Sequence, residues 1–338
     1  MRLALTLSCL FILLSPPAFA MCLLPGSPCE WYAVHHGQPT FIGTTLSNET
    51  VTDVIQRGDH TVQITTKKVK FRVEEPFEDV SSTTVDVFGY GTVNDFDFQM
   101  GARYLVYAFR GKDGKLRTQK CTRTALVAEA TEDINFLRSL PTLRGGTIRG
   151  LVRFVTSGTQ NGTVAGTITE SGINGDHKTR VAESGMYELN GLVPGEYRET
   201  YTPDGDTTEF VSSKLRIPVD GSCVSSGIPL GNRTVSGNAV TQAGIPAAGI
   251  EMILFYALDG RFHPEVELKT RTDGSGKFSF HRVEAAKYIL VAQVESGSVF
   301  FPGTKDAAKT QIIEVHDGET PALLTIAIPS ATTAKAHR

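Results

Sequence analysis

A stretch of this chain is written twice. Residues 178–189 (KTRVAESGMYEL) parallel residues 269–280 (KTRTDGSGKFSF), an offset of 91. Each copy opens on a similar run, 147–152 and 234–240, and closes on another, 215–221 and 312–318. A period of that length exceeds the roughly 20–50 residues of a solenoid unit and suits a whole β-sandwich of about 100. Inside each copy, short runs of Val, Ile and Tyr are separated by Gly-rich turns, the texture of antiparallel strands. Two tandem sandwiches are therefore expected, at 145–231 and 232–329, followed by a flexible tail at 330–338. Alternation with polar neighbours at a period of two puts Tyr187 and Leu189, and likewise Phe278 and Phe280, on the core side.

The residues before the repeat read as a third β module. Val69, Phe71 and Val73 alternate with Lys68, Lys70 and Arg72, a half-buried strand with a charged outer face. Further strand runs lie at 40–46, 62–64, 83–88 and 103–109, and Gly111-Lys112-Asp113-Gly114 is a hairpin turn into residues 116–118. Helical spacing appears once, from 125 to 140, where Leu126, Ala130, Ile134, Leu137 and Leu140 recur every three or four residues and Pro141 follows. Five short strands and one amphipathic helix imply a small closed barrel with the helix packed on it. The chain as a whole is expected to be mainly β.

The N-terminus sets the compartment. Arg2, an apolar run at 3–14, Pro16-Pro17 and Ala18-Phe19-Ala20 form a secretory signal with its cleavage site, at 1–20. The Pro-Pro break leaves the run too short to span a bilayer, which takes about 20 apolar residues. Met21 is bulky where a lipid-modified cysteine wants a small neighbour, so release is expected rather than anchoring. Cys22, Cys29, Cys121 and Cys223 would then meet oxidising conditions and are read as disulfide candidates, with three full pairings open. With 33 Lys and Arg against 36 Asp and Glu, the chain is not a globally basic nucleic-acid binder.

Residues 22–143 resemble the netrin-like module, the OB-type barrel shared with tissue inhibitors of metalloproteinases. The resemblance rests on the early cysteines ending at Pro28-Cys29, on Phe41-Ile42-Gly43-Thr44 and on Phe71 to Phe77. It continues through Phe98 to Ala108 and ends at Cys121-Thr122-Arg123-Thr124. It implies an OB-type five-stranded barrel with a C-terminal helix. It also implies a Cys29–Cys121 disulfide closing 92 residues, worth roughly 4–5 kcal/mol in a chain-entropy account. The family's partner cysteine before Phe98 is replaced by Asn94-Asp95-Phe96-Asp97, which leaves Cys22 unpaired by that analogy. The two later segments are similar to carboxypeptidase-regulatory-like domains, which are transthyretin-like sandwiches. Their marks are residues 185–197 in the first, and Asp273 to Phe280, Tyr288 and Phe301-Pro302-Gly303-Thr304 in the second. That resemblance implies accessory, non-catalytic modules, some relatives of which bind carbohydrate.

Candidate chemistry is sparse. His35-His36 is the one adjacent histidine pair, and no His-Glu-x-x-His or Cys-x-x-Cys accompanies it, so no metal site is expected. Glu74-Glu75 and Glu78-Asp79 flank Pro76-Phe77, but neighbours on a strand point to opposite faces and do not share a pocket. Asp273-Gly274-Ser275-Gly276 and Asp204-Gly205-Asp206 read as tight turns rather than calcium loops. No nucleophile elbow, P-loop or dinucleotide fingerprint occurs. No catalytic residue, metal or cofactor is expected. The chain reads as a secreted or periplasmic, non-catalytic binding protein for an extracellular protein or glycan, with no nucleic-acid partner and no transmembrane segment. The alternative is a metalloendopeptidase inhibitor acting through the netrin-like segment, which would need Cys22 at the mature N-terminus. Trp31-Tyr32 and Phe300-Phe301 are the candidate binding patches, because flat rings supply contact area at low entropic cost.

Overall fold

A computed structural model of the chain describes residues 26–57, 59–155, 165–258, 261–317 and 322–329. The expected signal at 1–20, Cys22 and the expected tail at 330–338 lie outside the described residues. The chain is mainly β and forms two compact units. One is built on Gly37–Thr131, the other on Ser27–His36 together with Glu132 onward.

The first unit is a seven-stranded sheet. Its strands are β1 (Thr40–Arg57), β2 (His60–Glu78), β3 (Thr84–Phe88), β4 (Arg103–Tyr107), β5 (Phe109–Arg110), β6 (Leu116–Arg117) and β7 (Ala125–Leu126). They lie in the order β5-β6-β3-β2-β1-β4-β7. Of the five expected strands, the runs at 62–64 and 68–73 are one strand, β2. The two-residue strands β5, β6 (at the expected hairpin partner 116–118) and β7 bring the sheet to seven, a half-barrel with β5 and β7 at its edges. Three register shifts between β1 and β2 supply the bends that curve it. Val69 and Phe71 are buried and Lys70 and Arg72 exposed, as the alternation predicts. Phe41, Phe71, Phe98 and Tyr104 form a chain of edge-to-face rings 4.9–5.6 Å apart through this core. On one side Arg117 is buried between Asp53 and Asp113, 2.8 Å from each, and lies over the Phe88 and Tyr90 rings.

The second unit contains both copies of the repeat. The first copy supplies β8 (Gly146–Phe154), β9 (Gly166–Gly172), β10 (Gly175–Arg180), β11 (Met186–Leu192), β12 (Gly195–Pro203), β13 (Glu209–Ile217) and β14 (Cys223–Leu230). The second supplies β15 (Arg233–Thr241), β16 (Glu251–Leu258), β17 (Arg261–Arg271), β18 (Lys277–Val283), β19 (Lys287–Val294), β20 (Gly297–Phe300), β21 (Ile313–Glu314) and β22 (Leu324–Ile328). Each copy has a small sheet, β11-β8-β14 or β18-β15-β22, whose middle strand pairs antiparallel on one side and parallel on the other. Each also has a larger sheet, β10-β9-β12-β13 or β17-β16-β19-β20, so the two sandwiches share one topology. Tyr187, Phe278 and Phe280 are buried, and Leu189 packs half-buried on the same core. The larger sheets are not separate. Glu209–Ser212 of β13 pair with β17, so a single nine-stranded sheet runs through both copies.

Glycine is required on both middle strands. A Cβ at Gly150 would fall 2.3 Å from the Tyr187 hydroxyl and 2.7 Å from the Ser226 carbonyl; one at Gly237 would fall 2.4 Å from the Phe278 ring and 2.6 Å from the Leu324 carbonyl. Gly237→Ala is therefore expected to lower stability by about 2 kcal/mol through overpacking. Urea denaturation checks this, and an unchanged midpoint would mean the ring does not rest on β15.

Helices α1 (Pro28–His35) and α2 (Thr131–Ser139) group with the sandwiches. The helix expected over 125–140 is shorter than its periodicity implies. Ala125 and Leu126 instead pair with β4 as β7, satisfying an edge that would otherwise stay open, while Ile134 and Leu137 are buried as expected. A 3₁₀ turn, Leu140–Thr142, follows. The cysteine pairing implied by the netrin-like resemblance is corrected. Cys29 is bonded to Cys223, with Cα atoms 5.0 Å apart, and not to Cys121, which is itself in a disulfide. The cause is α1, which lies along β14 and presents Cys29 to its first residue.

Candidate functional site

A concave surface lies where the two copies of the repeat meet. The loop 204–208 that leaves β12 docks on the second copy: Thr208 accepts the His281 N–H at 2.8 Å, and Thr207 lies 3.4 Å from the Thr270 hydroxyl. Between this loop and the outer face of β15 and β18 is a cleft of about 530 Å³, within the usual range for small-ligand sites. β15 contributes Ser236 and Asn238 and β18 contributes Lys277 and Ser279. These are the outward positions of strands whose inward residues, Val235, Ala239, Phe278 and Phe280, fill the core. Ser236 and Ser279 are cross-strand partners hydrogen-bonded at 2.9 Å. Thr270, Arg271 and Asp273 close one side, and Leu323, 68% exposed, supplies an apolar wall.

The same face of the first copy is filled. Arg149 on β8 pairs with Glu188 as Ser236 pairs with Ser279, and over it lies α1. Ser27, Pro28 and Glu30 start that helix by a capping box with Pro in the first turn. Glu30 accepts from the Ser27 N–H at 2.8 Å, contacts Arg149 at 2.9 Å and is hydrogen-bonded by Ser225. Burial would raise its carboxyl, but these three donors outweigh it and hold the group down to about 2. The Cys29–Cys223 bond pins the helix in place.

The sequence-level candidates are dispersed. Trp31 is buried and stacks on His35 at 3.7 Å. Tyr32 is half-buried against Phe136, and Phe300 and Phe301 are half-buried on apolar clusters of the second copy, so none of the four forms an open aromatic face. His35 closes α1 rather than lying in a loop, and burial lowers its pKa. In the acidic run, Glu74 pairs with Arg103 at 2.7 Å and Asp79 with Arg110 at 2.8 Å, while Glu78 accepts the Gly37 N–H. The Thr44 hydroxyl and then Arg103 hold Glu74 below its ordinary pKa. Asp273 spends its carboxylate on the Ser275 hydroxyl and on the N–H groups of Ser275 and Lys277, which lower its pKa and make it a turn residue. Among the described residues no group of three or more His, Cys, Asp or Glu is placed to hold a metal ion.

A second constellation has no forerunner in the sequence reading. Inside the first sandwich Glu170 on β9 stands opposite Glu199 on β12, and both are fully buried. Tyr187 and Ser226 donate to Glu199 from the facing sheet at 2.5 and 2.6 Å. His177 on β10 is the cross-strand neighbour of Glu170. Burial first, then the Glu199 charge, raise the Tyr187 pKa. A signal for this group existed: Ile168 and Glu170 share one face of β9, and Tyr197, Glu199 and Tyr201 share one face of β12.

No protein-family model matches the chain, and no curated protein does, so neither resemblance drawn from the sequence gains support there. Among solved structures the chain is similar to the Bacillus anthracis TIE protein, at 12% identity over 86% of this chain and 51% of that one, with a TM-score of 0.23. The chain thus spans about half the length of that protein. It is also similar to a streptococcal ancillary pilin (9% identity, 80% of this chain and 81% of that one, TM-score 0.21). A third is described as a putative carbohydrate binding protein from Bacteroides uniformis (11% identity, 51% of this chain and all of that one, TM-score 0.21).

Proposed function

We propose that the chain is an exported, non-catalytic binding protein that holds a hydroxyl-rich ligand of oligosaccharide chemistry in the cleft over β15 and β18. The observation that carries this reading is the contrast between the two copies. One face is occupied by a covalently pinned helix, and its counterpart is an open cleft of about 530 Å³. Hydroxyl, amide, ammonium and guanidinium groups converge there on rigid strands beside an exposed leucine, the mixture that orients a polar ligand while burying its apolar edges. Export is supported by the apolar N-terminal run with its Ala-x-Ala site and by cysteines held in disulfides. Among the described residues no helix is long and apolar enough to cross a membrane.

A glycan array followed by titration calorimetry tests the reading. Asn238→Ala/Lys277→Ala removes two side-chain partners worth about 1 kcal/mol each, so binding is expected to weaken roughly tenfold or more. Unchanged affinity in the folded double variant would move the site elsewhere. Hydrolysis of the bound glycan would overturn the non-catalytic reading.

A further inference from the structure

The two sandwiches place opposite chemistry at the same five positions. Glu170 pairs with Glu199 and with His177 in the first; Leu254 pairs with Leu290 and with Leu268 in the second. Tyr187 stands where Phe278 does, each against the middle-strand glycine, and Ser226 faces Gly150 as Leu324 faces Gly237. Leu254, Leu268 and Leu290 are at most 1% exposed. The fold is therefore fully built with an apolar plug, and the carboxyls of the first copy are not needed for its shape.

Those carboxyls are expensive to bury. Neither has exposed surface, neither is in an ion pair among the described residues, and both Glu170 oxygens lack a well-aligned donor. The titratable groups facing Glu170 are Glu199 and Tyr197 from β12, Tyr187 from β11 and His177 from β10, whose buried Nε2 is also without a partner. His177 is the one member of this set able to carry a positive charge, too little to compensate two carboxylates, and like charges in direct opposition in a dry interior do not both ionise.

We propose that one proton, held by the Glu170–Glu199 pair between β9 and β12, is a structural ligand of the first sandwich, and that its loss at alkaline pH opens the β10-β9-β12 side while the second sandwich stays closed. Glu199 already accepts two hydroxyls, so the proton resides on Glu170. Burial, then the adjoining Glu199 carboxyl, push Glu170 up to about 10 from an ordinary 4.5. The sign follows from linkage. Below 4.5 both folded and unfolded chains carry the proton and the group has no effect. Between about 4.5 and 10 only the folded chain carries it, so stability falls as pH rises and levels off above that window. β10 is a six-residue edge strand with exposed Lys178 and Arg180, the side with least to hold it.

Hydrogen–deuterium exchange on the full chain between pH 6 and 9, corrected for intrinsic rates, reads the two copies separately. In the wild type the opening equilibrium of peptides from β9 and β12 is expected to rise by up to about tenfold per pH unit for one proton, and roughly 30-fold or more across the range relative to β16 and β19. Glu170→Gln, which keeps shape without charge, is expected to remove that slope. Glu170→Leu/Glu199→Leu is expected to give the first copy the flat profile of the second. An identical pH course for both copies in the wild type overturns the proposal whether or not any variant folds, as does a slope that persists in Glu170→Gln.

Discussion

Cys29→Ser is expected to lower the stability of the second unit by about 5 kcal/mol. The bond joins residues 194 positions apart, and in the chain-entropy account a loop of that size restricts the unfolded ensemble by about 5 kcal/mol. The same bond keeps α1 on β14, so the native state should change too. Trp31, the sole tryptophan, is buried on that helix. Its emission should shift to the red once α1 is held by non-covalent contacts alone, among them Glu30 with Arg149 and Ser225 and Tyr32 against Phe136. Urea denaturation followed by Trp31 fluorescence measures both. A loss below about 1 kcal/mol with unchanged emission would show that the non-covalent contacts suffice to hold the helix.

Leu290→Glu is expected to destabilise the second sandwich by a comparable amount, about 5 kcal/mol, or to prevent its folding. It transplants the Glu199 carboxyl to the equivalent place without the groups that make it tolerable. Where Glu199 meets the Tyr187 and Ser226 hydroxyls, a glutamate at 290 would meet Phe278 and Leu324. The loss combines a buried polar group without a partner and a removed leucine. The sign of its pH dependence is set. Burial raises the new carboxyl, so the variant is expected to be less impaired at pH 5 than at pH 8, when measured by denaturant titration at both. Equal losses at the two pH values would mean that the side chain escapes to solvent.

Elements whose signals are local or periodic were legible in the residues alone. The 91-residue repeat, the core positions of Tyr187, Phe278 and Phe280, and the alternation at Val69 and Phe71 could all be read from it. The repeat shows as self-similarity at a fixed offset, and the other two depend only on a strand's period of two. Helix α1 was also within reach, since Ser27, Pro28 and Glu30 spell a capped start. Matching the copies at 91 would have set Glu199 against Leu290 and His177 against Leu268, and so exposed the polar cluster. Residue type alone would put a glutamate and a histidine outside, whereas strand parity puts both inside. The rest follows from which distant segments meet in space. A cysteine's partner depends on where distant segments meet, and Cys29 reaches Cys223 because α1 settles on β14. The nine-stranded sheet arises from backbone pairing of β13 with β17, and N–H and C=O groups are the same for nearly every residue, so an edge's partner leaves no mark in the side chains. The cleft has the same origin: whether the outer face of a small sheet is covered or open depends on which segment lands there, and one helix covers one of two equivalent faces.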